Sequence, residues 1–190
     1  MEHFNILWYQ DINTYAGVYP WIDFLMQSVA TVTPYLFIVM LFYLWFSKRK
    51  NLALFAGYAA ILGVLINQII GLFYFHPRPF MENLGHVLLS HSADSSFPSD
   101  HVSFTVSIAL TLTAFKTTRT LGIIAFILGL FCGVARIYCG VHWPFDIIGA
   151  VMVAGLASFL VLRYQTQWSE LNHVIITMYH KIIKKEFLAK

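Results

Sequence analysis

Five long stretches of the chain are apolar and carry at most one charged residue each. They are residues 24–46, 52–75, 98–115, 121–138 and 143–162. A helix needs about 20 apolar residues to cross the hydrocarbon core of a bilayer. Long apolar segments cross a bilayer as helices, which satisfy every backbone N–H and C=O internally. The chain is therefore predicted to be an all-α, polytopic membrane helix bundle with about five transmembrane helices.

The composition agrees with this prediction. Hydrophobic residues make up 58% of the 190 residues and charged residues 11%, whereas a soluble domain carries about 25% charged residues. We expect a single membrane-embedded domain over residues 1–190. The net charge of +3 does not indicate a nucleic-acid partner, because a membrane separates the charges onto its two faces.

The third stretch differs from the others in its hydroxyl side chains, which are Ser103, Thr105, Ser107, Thr111 and Thr113. So polar a helix should face other helices rather than lipid. In the fourth stretch, Gly129 and Gly133 have the four-residue spacing that lets helix backbones approach closely.

Both ends of the chain are predicted to lie along the membrane surface. Residues 1–22 mix polar groups with aromatic side chains, an interfacial pattern carried by Trp8, Tyr9, Tyr15, Tyr19 and Trp21. Residues 166–189 are predicted to form a cytoplasmic amphipathic helix with lysines nearby. Its apolar residues recur at helical intervals, at Trp168, Leu171, Val174, Ile175, Met178 and Ile182.

Lysine and arginine collect in cytoplasmic loops, so their positions predict the orientation. Three groups fall on one side of five spans: Lys48, Arg49 and Lys50; Lys116 and Arg119; and Arg163, Lys181, Lys184, Lys185 and Lys190. The loops at 76–99 and 139–142 are then outside. Arg78 and Arg136 also lie on that outer side, each close to a histidine. A shared anion site explains both better than two snorkelling side chains at helix ends.

The outer clusters offer groups that bind phosphate. Arg78 precedes Pro79, which favours a helix end at this point, and its guanidinium can form paired hydrogen bonds with phosphate oxygens. Residues 98–101 have the pattern of a helix start, with Ser99 or Asp100 as N-cap. A helix N-terminus is a ready anion site.

His142 and Asp146 form the most specific cluster, because they are four residues apart at the start of a helix and share one face. A carboxylate there can accept the ring N–H, fix the tautomer and stabilise developing positive charge. The other ring nitrogen is then free to attack phosphorus. An ionisable pair within a span is costly and is by default a functional-site hypothesis; a structural His–Asp pair is the alternative.

Together these clusters resemble the signature of the type-2 phosphatidic acid phosphatase superfamily. The three parts agree in order and spacing, as Arg78-Pro79, as Pro98-Ser99-Asp100-His101, and as Ala135-Arg136 followed by His142 and Asp146. Within that superfamily, residues 74–80 and 95–101 are most similar to bacterial undecaprenyl-diphosphatases of the bacitracin-resistance type.

The resemblance implies a role for each side chain. His142 is the implied nucleophile, which forms a phosphohistidine, and Asp146 is implied to orient it. His101 is the implied general acid, which protonates the leaving group and then helps activate water.

The implied phosphate-binding residues are Arg78, Arg136 and Ser99, with Pro98 and Asp100 beside them. The implied reaction converts undecaprenyl diphosphate to undecaprenyl phosphate and phosphate, without a metal or other cofactor. It would occur at the outer face of a bacterial inner membrane. The product is the carrier lipid of peptidoglycan synthesis, and an abundant enzyme would confer resistance to bacitracin.

Three positions depart from the signature. Gly71 stands where the signature has lysine, which removes one expected phosphate contact, and His76 is a candidate to replace it. Asp100 stands where the signature has glycine and adds a carboxylate beside the implied general acid. Ala135 stands where it has serine and removes one hydrogen bond.

The sequence also allows three alternatives. A zinc hydrolase could use His76, His86, His91 and Asp94, but these lack the tight spacing of a compact zinc motif. A solvated loop is expected to contain Glu82, His86, His91 and Asp94. A transporter or lipid-binding protein would place its polar groups near the bilayer midplane, whereas these gather at one face. Another lipid phosphate, such as phosphatidic acid or phosphatidylglycerol phosphate, is the alternative substrate.

Overall fold

The computed structural model describes residues 2–188, with side chains through residue 183, and these residues form seven α-helices and one 3₁₀ helix. The α-helices are α1 (Glu2–Asn13), α2 (Pro20–Phe46), α3 (Lys50–Phe73), α4 (Asp100–Thr113), α5 (Arg119–Tyr138), α6 (Pro144–Arg163) and α7 (Gln165–Leu188). The 3₁₀ helix, Pro79–Glu82, lies between α3 and α4. Residues 2–188 contain no strand, so the predicted all-α class is confirmed.

Four helices in the described part of the chain, α2, α3, α5 and α6, are long and apolar enough to cross a membrane. The predicted third span is shorter than expected. α4 has 14 residues, or ~21 Å at 1.5 Å per residue, whereas the hydrocarbon core is ~30 Å thick. Pro98 has no backbone N–H and keeps the residue before it out of the helical region, so α4 begins only at Asp100.

α4 lies at the centre of the bundle and packs against α2, α3, α5 and α6. Four of its hydroxyl residues are fully buried, namely Ser103, Thr105, Ser107 and Thr111. The threonine hydroxyls at 105 and 111 each donate to the carbonyl four residues earlier, at 2.8 Å. The two threonines therefore pair within the helix, whereas the hydroxyl of Ser103 lies within hydrogen-bond distance of Asn67 on α3 and of the carbonyl of Ala150 on α6. The prediction that α4 faces other helices is confirmed.

Gly129 and Gly133 let α5 approach its neighbours closely, as predicted. A Cβ at Gly133 would lie 2.7 Å from Cγ2 of Ile147 on α6, and one at Gly129 would lie 3.1 Å from Cγ2 of Val106 on α4. This packing brings the first turns of α4 and α6 beside the last turn of α5. We call this part of the molecule the site end of the bundle.

α1 packs across the site end. Its residues Asn5, Tyr9 and Asn13 are buried on one helix face. The Asn5 side chain accepts the backbone N–H of Phe145 at 3.0 Å, and the Tyr9 hydroxyl donates to the carbonyl of Leu84 at 3.1 Å. The prediction that Tyr9 is an interfacial aromatic residue is therefore wrong, because this ring is a structural contact between α1 and the loop after α3.

α7 has the predicted amphipathic pattern. An apolar row is exposed along it, formed by Leu171, Val174, Met178 and Ile182. On its opposite side Asn172 is buried and accepts a hydrogen bond from the Tyr58 hydroxyl of α3 at 2.8 Å. The predicted basic residue Lys190 and the side chains of Lys184 and Lys185 lie outside the described part of the chain.

Candidate active site

All predicted catalytic and phosphate-binding side chains lie at the site end of the bundle. Two loops supply some of them, residues 74–99 after α3 and residues 139–143 between α5 and α6. The others come from the first turns of α4 and α6 and the last turn of α5. The side chains that meet here are Arg78, Ser99, His101, Arg136, His142 and Asp146.

Gly140 shapes the turn that presents His142. Its φ is +80°, a left-handed conformation that glycine adopts without strain. Its missing Cβ also leaves room for the carbonyl oxygen of His86. α6 then begins at Pro144, a residue suited to the first helical position because that N–H has no intrahelical acceptor. The turn holds His142 between α5 and α6 with only 2% of its surface exposed.

The contacts of His142 define its tautomer. Its Nδ1 lies 3.3 Å from Oδ2 of Asp146, which also accepts the backbone N–H of Trp143 at 2.7 Å. Its Nε2 lies 3.2 Å from Nη1 of Arg78 and 3.3 Å from Oγ of Ser99. Arginine has only donors, so Nε2 is the acceptor and the proton is on Nδ1, facing the carboxylate.

His142 is neutral at pH 7. Burial lowers its pKa to about 4; the hydrogen bond to Asp146 opposes this effect, and the charges of Arg136 and Arg78 add to it. A neutral imidazole with one unprotonated ring nitrogen is the form that acts as a nucleophile.

Arg78 is 4% exposed, and its guanidinium is held by the two site loops. Nη1 donates to the carbonyl of Val141 at 2.8 Å, and Nη2 donates to that of Ser95 at 3.2 Å. Nε and Nη2 also converge on Oδ1 of Asp94, each at 2.8 Å. Asp94 is therefore both a half-exposed loop residue and the ionic partner of a predicted phosphate ligand.

Arg136 is also buried, with 3% of its surface exposed. Its Nε and Nη2 have no hydrogen-bond partner in the described part of the chain. A buried guanidinium without a paired anion is costly. The charge of Arg136 acts on His142, whose pKa it helps to lower, but Arg136 does not line the cavity beside His142.

A cavity of about 370 Å³ opens beside these groups. Its walls include Arg78, His142 and His101, together with His91 from the loop after α3. The sequence placed His91 in a solvated loop, whereas the structure half-buries it. Burial lowers the pKa of His91, and the two arginines add to this effect, so the ring is neutral where it faces the cavity.

The cavity meets a second, apolar groove of about 340 Å³ at Asp100 and His101. The groove lies between α2, α3 and α4, and its apolar walls are Pro34, Tyr35, Ile38, Val64 and Phe104. Asp100 and His101 therefore line both the polar cavity and the apolar groove.

Two departures from the family signature lie on this cavity. The carboxylate of Asp100 accepts the side-chain amides of Asn67 at 2.9 Å and Gln68 at 3.0 Å, which ties α4 to α3. Gly71 lines the same cavity, and a Cβ there would meet no other described atom within 4 Å. Sequence reasoning missed Asn67, although a polar side chain inside an apolar span was a usable signal.

The third departure, Ala135, is fully buried one residue before Arg136. His76, the candidate to replace the missing lysine, does not line the cavity described here. Its Nδ1 lies 3.4 Å from Oδ1 of Asp146, on the side away from His142. Sequence reasoning also missed Asp94 as a partner of Arg78, and no local pattern marks that pairing.

The chemistry available is therefore anion binding and nucleophilic attack. The guanidinium of Arg78 and the N-cap residue of α4, Ser99, face Nε2 of a buried imidazole. Among the side chains that the structure describes, no group of three His, Cys, Asp or Glu could hold a metal ion.

A buried histidine beside an arginine, at one end of a membrane helix bundle, is an arrangement that suits a lipid phosphatase of the membrane. Residues 52–170 match the PAP2 superfamily, and the chain belongs to this family. Undecaprenyl-diphosphatase BcrC of Bacillus subtilis is 32% identical to it over 167 residues, which is 86% of each chain.

Two solved structures have the same fold. Aquifex aeolicus LpxE superposes with a TM-score of 0.73 at 24% identity, over 85% of this chain and 96% of the other. The PAP2-type phosphatidylglycerolphosphate phosphatase from Bacillus subtilis superposes with a TM-score of 0.68 at 20% identity, over 87% and 86%.

Proposed function

We propose that this protein is an undecaprenyl-diphosphatase of the bacterial inner membrane, with its site on the extracytoplasmic side. It hydrolyses undecaprenyl diphosphate to undecaprenyl phosphate and phosphate, and so recycles the carrier lipid of cell-wall synthesis. The observation that carries the reaction is the neutral, buried His142, whose Nε2 faces Arg78 and Ser99 while Asp146 holds Nδ1. The substrate is proposed from the 32% identity to a protein with that activity in its name.

In the first step, Nε2 of His142 attacks the terminal phosphorus. An N–P bond forms while the P–O bond to undecaprenyl phosphate breaks, and His101 gives its proton to the leaving oxygen. Positive charge develops on the imidazole ring, and Asp146 stabilises it through the Nδ1 proton.

In the second step, His101 takes a proton from a water molecule, whose oxygen attacks the phosphohistidine. The N–P bond breaks, phosphate leaves and His142 is again neutral. Arg78, Arg136 and Ser99 hold the non-bridging oxygens in both steps. Phosphoryl transfer depends mostly on positioning and charge stabilisation, and two guanidinium groups with a helix N-terminus supply both.

The test is phosphate release from undecaprenyl diphosphate in detergent with excess EDTA. Wild type is expected to be active, and His142→Ala is expected to be inactive because it lacks the nucleophile. His86→Ala is the matched control, since this histidine is exposed, and it should keep wild-type activity.

Activity that disappears in EDTA and returns with a divalent ion would refute the metal-independent mechanism. If the protein releases phosphate only from phosphatidic acid or phosphatidylglycerol phosphate, the proposed substrate is wrong and the proposed reaction type stands. In cells, overproduction should raise resistance to bacitracin, which sequesters the diphosphate, and His142→Ala should not.

A further inference from the structure

We propose that His76 is a positioning residue that acts on the nucleophile through the second oxygen of Asp146. The carboxylate lies between two imidazole rings: Oδ2 is 3.3 Å from Nδ1 of His142, and Oδ1 is 3.4 Å from Nδ1 of His76. The inference rests on the proposed function, because it concerns the same nucleophile. Nothing in the spacing of the family signature places a histidine at this position.

The ring of His76 is held in place from several sides. Its backbone N–H donates to Oγ of Ser95 at 3.2 Å, and its carbonyl accepts the N–H of Ser96 at 2.8 Å. The ring stacks on Tyr74, with centroids 6.0 Å apart and planes within 13°. The indole of Trp143 lies on another side, with its centroid 6.1 Å away. These contacts keep Nδ1 facing the carboxylate.

Asp146 needs this second partner. It is fully buried, and His142 contributes only a neutral N–H at Oδ2, where the backbone of Trp143 also donates. A buried carboxylate without a cation is costly. Oδ1 of Asp146 has no hydrogen-bond partner in the described part of the chain. A protonated ring of His76 supplies the missing cation 3.4 Å from this oxygen, while its Nδ1 is hydrogen-bonded with Oγ of Ser96 at 2.9 Å.

The surroundings of His76 favour its protonated form. Its pKa is raised chiefly by the neighbouring carboxylate of Asp146, although burial acts in the opposite direction. Glu2 of α1 and Glu82 of the 3₁₀ helix add to the increase, and Oε1 of Glu2 lies 3.8 Å from Nε2 of the ring. The protonated ring thus keeps Asp146 ionised and its plane fixed, with Oδ2 directed at His142.

The experiment compares the pH dependence of kcat for wild type, His76→Ala, His76→Asn and His86→Asn. The alanine variant removes the donor, so kcat should fall by about tenfold, the order of one charge-assisted hydrogen bond, while KM changes little. An asparagine nitrogen can occupy the position of Nδ1 but does not titrate. His76→Asn should therefore recover most of kcat near pH 7, whereas His86→Asn should match wild type throughout.

Wild type should lose kcat as the pH rises through the raised pKa of His76, and His76→Asn should lack this step. An undiminished kcat in His76→Ala, or the same pH profile in His76→Asn as in wild type, would overturn the inference.

A second measurement is independent of turnover. The ring of His142 is titrated by nitrogen NMR in the substrate-free protein, in wild type and in the two asparagine variants. The titration midpoint of His142 should differ from that of wild type in His76→Asn and should equal it in His86→Asn. A shift in a protein that hydrolyses no lipid phosphate would support the positioning of His142 and refute the proposed function. If the protein hydrolyses the lipid diphosphate but the titration of His142 does not shift in His76→Asn, the proposed function is supported and the positioning role of His76 is refuted.

Discussion

At the scale of single residues, the site combines opposite demands on charge. Arg78 must bind a phosphoryl group in the proposed mechanism, yet two of its N–H groups point at the carboxylate of Asp94. Asp94 is 58% exposed, so water and salt weaken this pairing. The carboxylate therefore competes with a phosphoryl group for the same arginine, and its exposure lets it leave.

Removal of this competing charge should strengthen anion binding. For Asp94→Asn we expect the inhibition constant of orthovanadate to fall by up to about fivefold, the range of an exposed ion pair. Asp11→Asn is the control, because Asp11 is exposed on α1, and it should leave inhibition unchanged. Equal inhibition of wild type and Asp94→Asn would mean that Asp94 does not compete for Arg78.

Residue contacts could be predicted from the sequence where they are local. The pairing of His142 with Asp146 follows from a four-residue spacing on one helix, a geometry set by the helical repeat. The pairing of Arg78 with Asp94 depends on the path of an irregular loop. The contact between His76 and Asp146 joins residues far apart in the chain. No period in the sequence encodes these two contacts.

At the scale of helices, α1 has the role that the sequence revealed least. Asn13 donates its side-chain amide to the carbonyls of His86 and Tyr138, both at 2.8 Å, and accepts the N–H of His86 at 2.6 Å. One side chain thus joins α1 to the loop after α3 and to the last turn of α5. The position of His142 depends on both neighbours.

Loss of this side chain should destabilise the site end. Asn13→Ala leaves three backbone groups without their partner. The carbonyl of Tyr138 is the buried one, and an unsatisfied buried group costs about 1–3 kcal/mol. We expect a lower Tm in detergent and a lower kcat. Gln10→Ala, at an exposed position of the same helix, should change neither. A Tm equal to that of wild type would show that the amide of Asn13 contributes no stability.

Helix boundaries were predicted best where apolar runs end at charged or breaking residues. α3 and α5 agree with the predicted stretches within a few residues, because the ends of these helices coincide with the ends of the apolar runs. α4 was predicted too long, since Pro98 and the residues after Thr113 are as apolar as the helix itself. The buried polar face of α1 was missed because surface aromatics flank it.

At the scale of the whole molecule, the orientation of the helix bundle in the membrane is predicted from ten basic residues on the same side of the spans. Ser90 and Thr117 are exposed in loops on opposite sides of the predicted topology. With a membrane-impermeant maleimide on intact cells, Ser90→Cys should be labelled and Thr117→Cys should be labelled only after lysis. The native thiols, Cys132 and Cys139, are buried and should not react. The opposite labelling pattern would invert the topology.

The polar cavity and the apolar groove share Asp100 and His101 as walls, and this arrangement has a consequence for the order of events after hydrolysis. Under the proposed function the two products have different solubility, and each has its own exit. Phosphate can diffuse into water through the cavity, while the prenyl chain withdraws sideways into the bilayer along the groove. In the proposed mechanism undecaprenyl phosphate departs in the first step and phosphate in the second, so the two products leave one after the other by different openings.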